Sequence, residues 1–155
     1  MGVGEAGRIG VALMVRAGWA PLLVFLLHVF ISRVINGYIL YPPLDIPMHF
    51  LGGVAMAYFL GKSFSALPED ALARWLRPIA EAVFVVSLTA TSSVLWEFAE
   101  FTSDSFFGTH AQLGLDDTLL DMAMGMTGGL SYAVVSWRQG RLGAVAPIRV
   151  DPRAG

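Results

Sequence analysis

The sequence predicts an all-α fold, an integral membrane bundle of four transmembrane helices with both termini in the cytoplasm. Three observations carry that expectation. Charged residues make up only 14% of the 155, against about 25% in a soluble domain, and so few ionisable groups cannot clothe a water-facing surface. Four apolar stretches approach the roughly 20 residues a spanning helix needs. The basic residues fall on alternate connections, as they do when Lys and Arg stay on the cytoplasmic side.

The first stretch covers about 17–40 and stops at Tyr41-Pro42-Pro43. It follows Arg8 and Arg16 and offers no cleavage site suited to a short signal peptide, so it reads as a retained helix. The second, about 47–64, has Pro47 in its first turn and Pro68 beyond its end. The third covers about 78–101 and the fourth about 117–137. Residues 1–16 suit an interfacial helix, and 142–155, with Gly, Pro and Arg, suit a loose cytoplasmic tail; the whole reads as one membrane domain. Of the ten basic residues, nine (Arg8, Arg16, Lys62, Arg74, Arg77, Arg138, Arg141, Arg149, Arg153) lie on one side of this layout. The tenth, Arg33, lies within the first helix, and the loops at 41–46 and 102–116 have none. The expected location is therefore a bacterial cytoplasmic (inner) membrane, multi-pass, with both ends inside.

The acidic residues are distributed oppositely. Asp45 and His49 are four apart at the start of the second helix, and Asp117 and Asp121 are four apart at the start of the fourth. Glu97, Glu100 and Asp104 form one stripe at the end of the third. Glu97 and Asp121 lie about a turn inside their spans, where an unpaired charge is costly. They are expected to be paired, protonated or cation-bound. Arg33, in the outer half of the first helix, is the natural organic counter-charge. Extended inward, the rows read Gly53, Ala57, Gly61 and Gly125, Gly129, Ala133, small residues that let helices two and four cross closely.

Carboxylates with one histidine and no cysteine suit a hard or borderline divalent cation of unspecified identity, which could polarise a phosphate or activate water. His49, Glu97, Glu100 and Asp121 are the candidate metal ligands, Asp104 and Asp117 the candidate catalytic groups, and Arg33, Asp45 and His110 the supporting shell. Plainer roles compete. Asp45, Asp116 and Asp117 can cap helix starts, Glu100, Asp104 and His110 can be solvated, and Arg33 can snorkel. His28 and His49 read as lying on the order of ten Å apart in depth, which argues against haem. No nucleotide-binding or familiar hydrolase motif occurs, and no basic stripe suggests nucleic acid.

The segment LWEFAEFTSDSFFGTHAQLGLDDTLLD (Leu95–Asp121), preceded by DIPMHFLGG at 45–53, resembles the YjdF-like family of bacterial membrane proteins. That family has Asp-x-x-x-His-Phe, Trp-Glu-x-x-Glu, a Gly-Thr loop and Asp-Asp-Thr-x-x-Asp. More remotely, the order of these groups resembles VanZ-like proteins. The resemblance covers about half the chain. It implies that Asp45, His49, Glu97, Glu100, Asp104, Asp117 and Asp121 are the residues that matter. It supplies no reaction, and through the link of VanZ-like proteins with glycopeptide tolerance it implies the cell envelope.

These residues support two functions of different kinds. The first is divalent-metal-dependent binding or hydrolysis of an envelope lipid or lipid-linked headgroup. The second is a non-catalytic accessory membrane protein whose carboxylate–arginine network only fixes helix packing. Transport is a third reading, and with every polar group at one end it would need an oligomer. The expected partners are membrane lipids, with a homo-oligomer or a membrane partner protein also open.

Overall fold

A computed structural model describes residues 3–145. The expected tail at 142–155 therefore lies mostly outside the described residues, with Arg149 and Arg153. Among the described residues the chain is all helical. The helices are α1 (Val3–Ala17), α2 (Trp19–Val29), the single-turn α3 (Gly37–Leu40), α4 (Asp45–Ser65), α5 (Arg77–Phe107) and α6 (Leu115–Arg138). The core is a three-helix unit in which α4 packs most extensively on α6, and α5 packs on both. The α2 helix lies against α4.

The chain belongs in a membrane by what it buries. Phe98, Phe101, Leu95, Val83, Ile79 and Leu130 are exposed, while Arg77, Glu81, Thr89, Glu97, Glu100 and Asp121 are buried. A soluble protein reverses that order. Two segments are long and apolar enough to cross a bilayer, Pro42–Ser65 and Arg77–Phe107. Gly10–Ala17 with Trp19–Val34, bent by 55°, makes a third if the pair counts as one span. The α6 helix falls short of the four spans expected. Asp116, Asp117 and Asp121 and three glycines dilute its apolar character.

The first apolar stretch departs most from expectation. It is not one helix over 17–40. It breaks at Gly18, loosens into a π turn over Phe30–Val34 closed by Ile35 N–H to the Phe30 carbonyl (3.2 Å), and ends at Asn36. Asn36 is left-handed at φ 50°, a conformation asparagine tolerates because its short polar side chain can bond locally. Gly37 follows because a Cβ there would stand 2.7 Å from Ile31.

The α5 helix has Pro78 in its first turn, where no backbone donor is lost. It continues six residues past the expected stop at 101, and Gly108 at φ 63° ends it. At 1.5 Å per residue its 31 residues reach about 46 Å, beyond a hydrocarbon core of about 30 Å. The Glu97–Asp104 stripe is thus carried on rigid helix.

Glycine sets the α4–α6 crossing. A Cβ on Gly53 would stand 2.0 Å from the Gly125 carbonyl oxygen, and one on Gly128 would stand 2.2 Å from that of Phe50. The backbones therefore touch directly, as small residues permit between membrane helices. At the far end from the acidic cluster, Arg77 donates to the carbonyls of Leu67 and Pro68 (2.8 Å each), and Glu81 accepts from Gly143 N–H at 2.6 Å. These bonds fix the turns that join the bundle at that end.

Candidate functional site

The direct α4–α6 contact brings the starts of both helices beside the end of α5. His49, one turn into α4, stands at the centre. Its Nε2 lies 3.4 Å from Asp45 Oδ1 and 3.8 Å from Asp121 Oδ1, and its Nδ1 lies 3.8 Å from Glu97 Oε1. Glu97 and Asp121 are only 4% and 2% exposed. Ligand atoms of Asp45, His49 and Asp121 all lie within 4.8 Å of one another, and so do those of His49, Glu97 and Glu100. The two groups share His49 and sit on opposite edges of its ring.

Not every acceptor in this cluster is satisfied. Glu100 Oε1 accepts from the Trp96 indole at 2.8 Å, and Glu97 Oε2 accepts from the Gln112 amide at 3.2 Å. Glu97 Oε1 and Asp121 Oδ1 are fully buried and have no hydrogen-bond partner among the described residues. Both face a His49 nitrogen at 3.8 Å, beyond hydrogen-bond length. Four carboxylates against one imidazole is a costly arrangement at membrane depth unless further positive charge or protons enter.

The residues expected at the site divide into three groups. His49, Glu97, Glu100 and Asp121 converge, and Asp45 joins them directly rather than supporting from outside. Asp104 and Asp117, the expected catalytic groups, hydrogen-bond the loop between α5 and α6. Asp104 accepts from the Thr109 hydroxyl, Ala111 N–H (2.9 Å) and Gln112 N–H (3.0 Å). Asp117 accepts from Leu113 N–H at 3.1 Å. Both Asp104 oxygens and Asp117 Oδ2 accept backbone N–H groups, and the loop they hold delivers Gln112 to Glu97. Arg33 and His110 do not take part. Arg33 is exposed on the π turn and has no ion pair within 4 Å among the described residues, and His110 is exposed in the loop. Arg33 lies on the π turn that interrupts the first stretch.

Trp96, Gln112 and His28 went unassigned in the sequence. Trp96 and Glu100 are four apart, a helical spacing that was readable. Gln112 carried no signal, since its 15-residue separation from Glu97 is closed only by the loop. His28 and His49 line one cavity. His28 Nδ1 is 3.0 Å from the Tyr38 hydroxyl, and its ring stands edge-to-face with Trp96.

This constellation lies within a recognisable family. The model of a "Predicted membrane protein (DUF2238)" matches residues 11–141, which include every helix of the site, and the chain belongs to that family. It is also similar to an "Uncharacterized protein" of Thermotoga maritima, with 33% identity over 94 residues, 59% of this chain. The matched region spans 46% of that relative's length. No solved structure matches the chain.

Proposed function

We propose that the protein is a four-span membrane protein, amino and carboxy ends inside, that binds a divalent cation at its outer interface and uses it to hold the phosphate headgroup of an envelope lipid. The topology rests on the basic-residue asymmetry and on α6, whose 24 residues lie along the spanning α4. The likeness to YjdF-like and VanZ-like proteins supports an envelope location in the bacterial inner membrane.

One observation carries the cation. Two fully buried carboxylate oxygens, Glu97 Oε1 and Asp121 Oδ1, have no partner and are aimed at the nitrogens of a single histidine. A divalent ion takes oxygen and imidazole ligands at about 2.0–2.6 Å, so ligand atoms within 4.8 Å of one another fit around one ion after small side-chain adjustment. Asp45, His49 and Asp121 would hold it on one edge of the ring, or His49, Glu97 and Glu100 on the other. Such an ion polarises phosphate oxygens and lowers the pKa of bound water, the chemistry that hydrolysis of a phosphate ester needs.

A second reading has its own support. Both His49 nitrogens face carboxylates, so a doubly protonated imidazolium could bind α4, α5 and α6 together without metal, in a purely structural role. Elemental analysis of protein purified without chelator separates the two. The cation reading expects about one divalent ion per chain, lost in Glu97→Gln and Asp121→Asn. Metal-free wild type whose stability is indifferent to chelator and to added cations leaves only the structural reading.

A further inference from the structure

A cleft runs from the cluster into the membrane-embedded part of the bundle. It encloses about 300 Å³ between α2, α4 and α5. It exists because α2 packs on α4 and not face to face on α5. Trp96 bridges the gap near the cluster through ring contacts with Phe25 (6.2 Å) and His28 (5.1 Å). Below it the walls are Val24 and Phe25 on one side and Ser92 and Ser93 on the other, over a floor of Gly52 and Met56. The hydroxyls of Ser92 and Ser93 turn back to carbonyls of their own helix, at 2.8 and 3.1 Å. The walls therefore make few polar demands; Thr89, at the foot, is the exception with an unpartnered hydroxyl.

The cleft and the cluster are continuous. His49 belongs to both, and Trp96 donates to Glu100 while lining the cleft. From His49 to Met56 on α4, and from Trp96 to Thr89 on α5, the cleft descends seven residues, about 10 Å along each helix. Gly52 keeps the floor low for no packing reason, since a Cβ there would meet nothing within 4 Å. Its neighbour Gly53 is needed for helix contact; Gly52 is not.

We infer that this cleft seats one hydrocarbon chain of a phosphate-bearing membrane lipid, with the headgroup at the His49–carboxylate cluster. The inference rests on the proposed cation site for the headgroup. The chain position stands on the cleft itself. A carboxylate cluster alone repels an anionic headgroup; a bound cation offsets part of that charge and gives a phosphate oxygen a Lewis-acidic partner. An apolar slot beginning at the same histidine takes the part of the lipid that the cation does not hold. Pockets of this size with an apolar lining and a few polar groups at one end are typical of small-ligand sites.

The test uses phosphatidic acid carrying a photoactivatable diazirine on one acyl chain, in phosphatidylglycerol vesicles containing the full-length protein. Crosslinks are mapped by peptide mass spectrometry, and metal content is measured on the same samples. The expected result is labelling concentrated in 21–28, 48–56 and 89–96, falling at least fivefold in Gly52→Phe and in Ser92→Phe. Both variants plug the cleft and should keep wild-type metal content. Unlabelled phosphatidic acid and a polyprenyl phosphate compete in separate arms to identify the source of the chain. A long-chain alcohol without phosphate should compete poorly. Labelling spread over the outer faces at Val83 and Leu130, or unchanged by either plug, overturns the inference. Cleft labelling in a protein without metal would overturn the cation reading and leave the chain site standing.

Discussion

Replacing Gly53 by alanine puts one methyl group into the tightest contact of the bundle. The new Cβ would stand 2.0 Å from the Gly125 carbonyl oxygen, 2.8 Å from its carbon and 3.0 Å from its Cα. All three atoms are backbone of α6, so no side chain can rotate away. The helices must part by about 1 Å merely to reach the closest separation real Cβ atoms show. Overpacking of this kind costs about 1–3 kcal/mol, or roughly 2–12 °C in the thermal midpoint of a chain this size. The same parting widens the gap between His49 on α4 and Asp121 on α6, so stabilisation by added divalent cation should shrink as well. Gly52→Ala is the matched control. It makes the identical chemical change one residue away, where the Cβ meets nothing. Alanine for glycine within a helix should there be neutral or stabilising by up to about 1 kcal/mol. The assay is thermal unfolding in one detergent, followed by tryptophan fluorescence, with and without cation. Equal midpoints for the two variants would refute a glycine-set crossing of α4 and α6.

Other substitutions address the remaining parts. Chelator should lower the wild-type midpoint and excess divalent cation restore it, by about 2.7 kcal/mol at a concentration 100 times Kd; Asp121→Asn should respond to neither. Asp104→Ala should release the 108–114 loop, at a cost of about 1–3 kcal/mol for the donors left behind; hydrogen exchange at Ala111 and Gln112 should rise, and protection equal to wild type would mean the loop is held by other bonds. Arg33→Met should leave stability and metal content unchanged, because Arg33 makes no ion pair with the cluster; a drop of several degrees would return it to the site. In this cysteine-free chain, an impermeant thiol reagent applied to intact cells should label Ala111→Cys and spare Ala71→Cys, and any other pattern breaks the four-span topology.

The sequence by itself determined the class of molecule and most of the members of the carboxylate–histidine cluster. Few charges and long apolar runs place the chain in a membrane, because hydrocarbon admits little else. The four-residue spacing of Asp45 and His49, and of Asp117 and Asp121, fixed their shared faces through helix periodicity. The same periodicity put glycine and alanine behind them. The tertiary structure alone decided which groups complete the cluster. Arg33 looked like its counter-charge, yet it stands exposed on a π turn with no ion pair to the cluster. Asp104 and Asp117 also bond the backbone of a loop, through both Asp104 oxygens and Asp117 Oδ2. Gln112 reaches Glu97 only because that loop folds back. Such outcomes depend on competition for hydrogen bonds among residues distant in sequence, and no local spacing records who wins. The cleft beside Gly52 is of the same kind, an empty volume left where two helices pack on a third and not on each other.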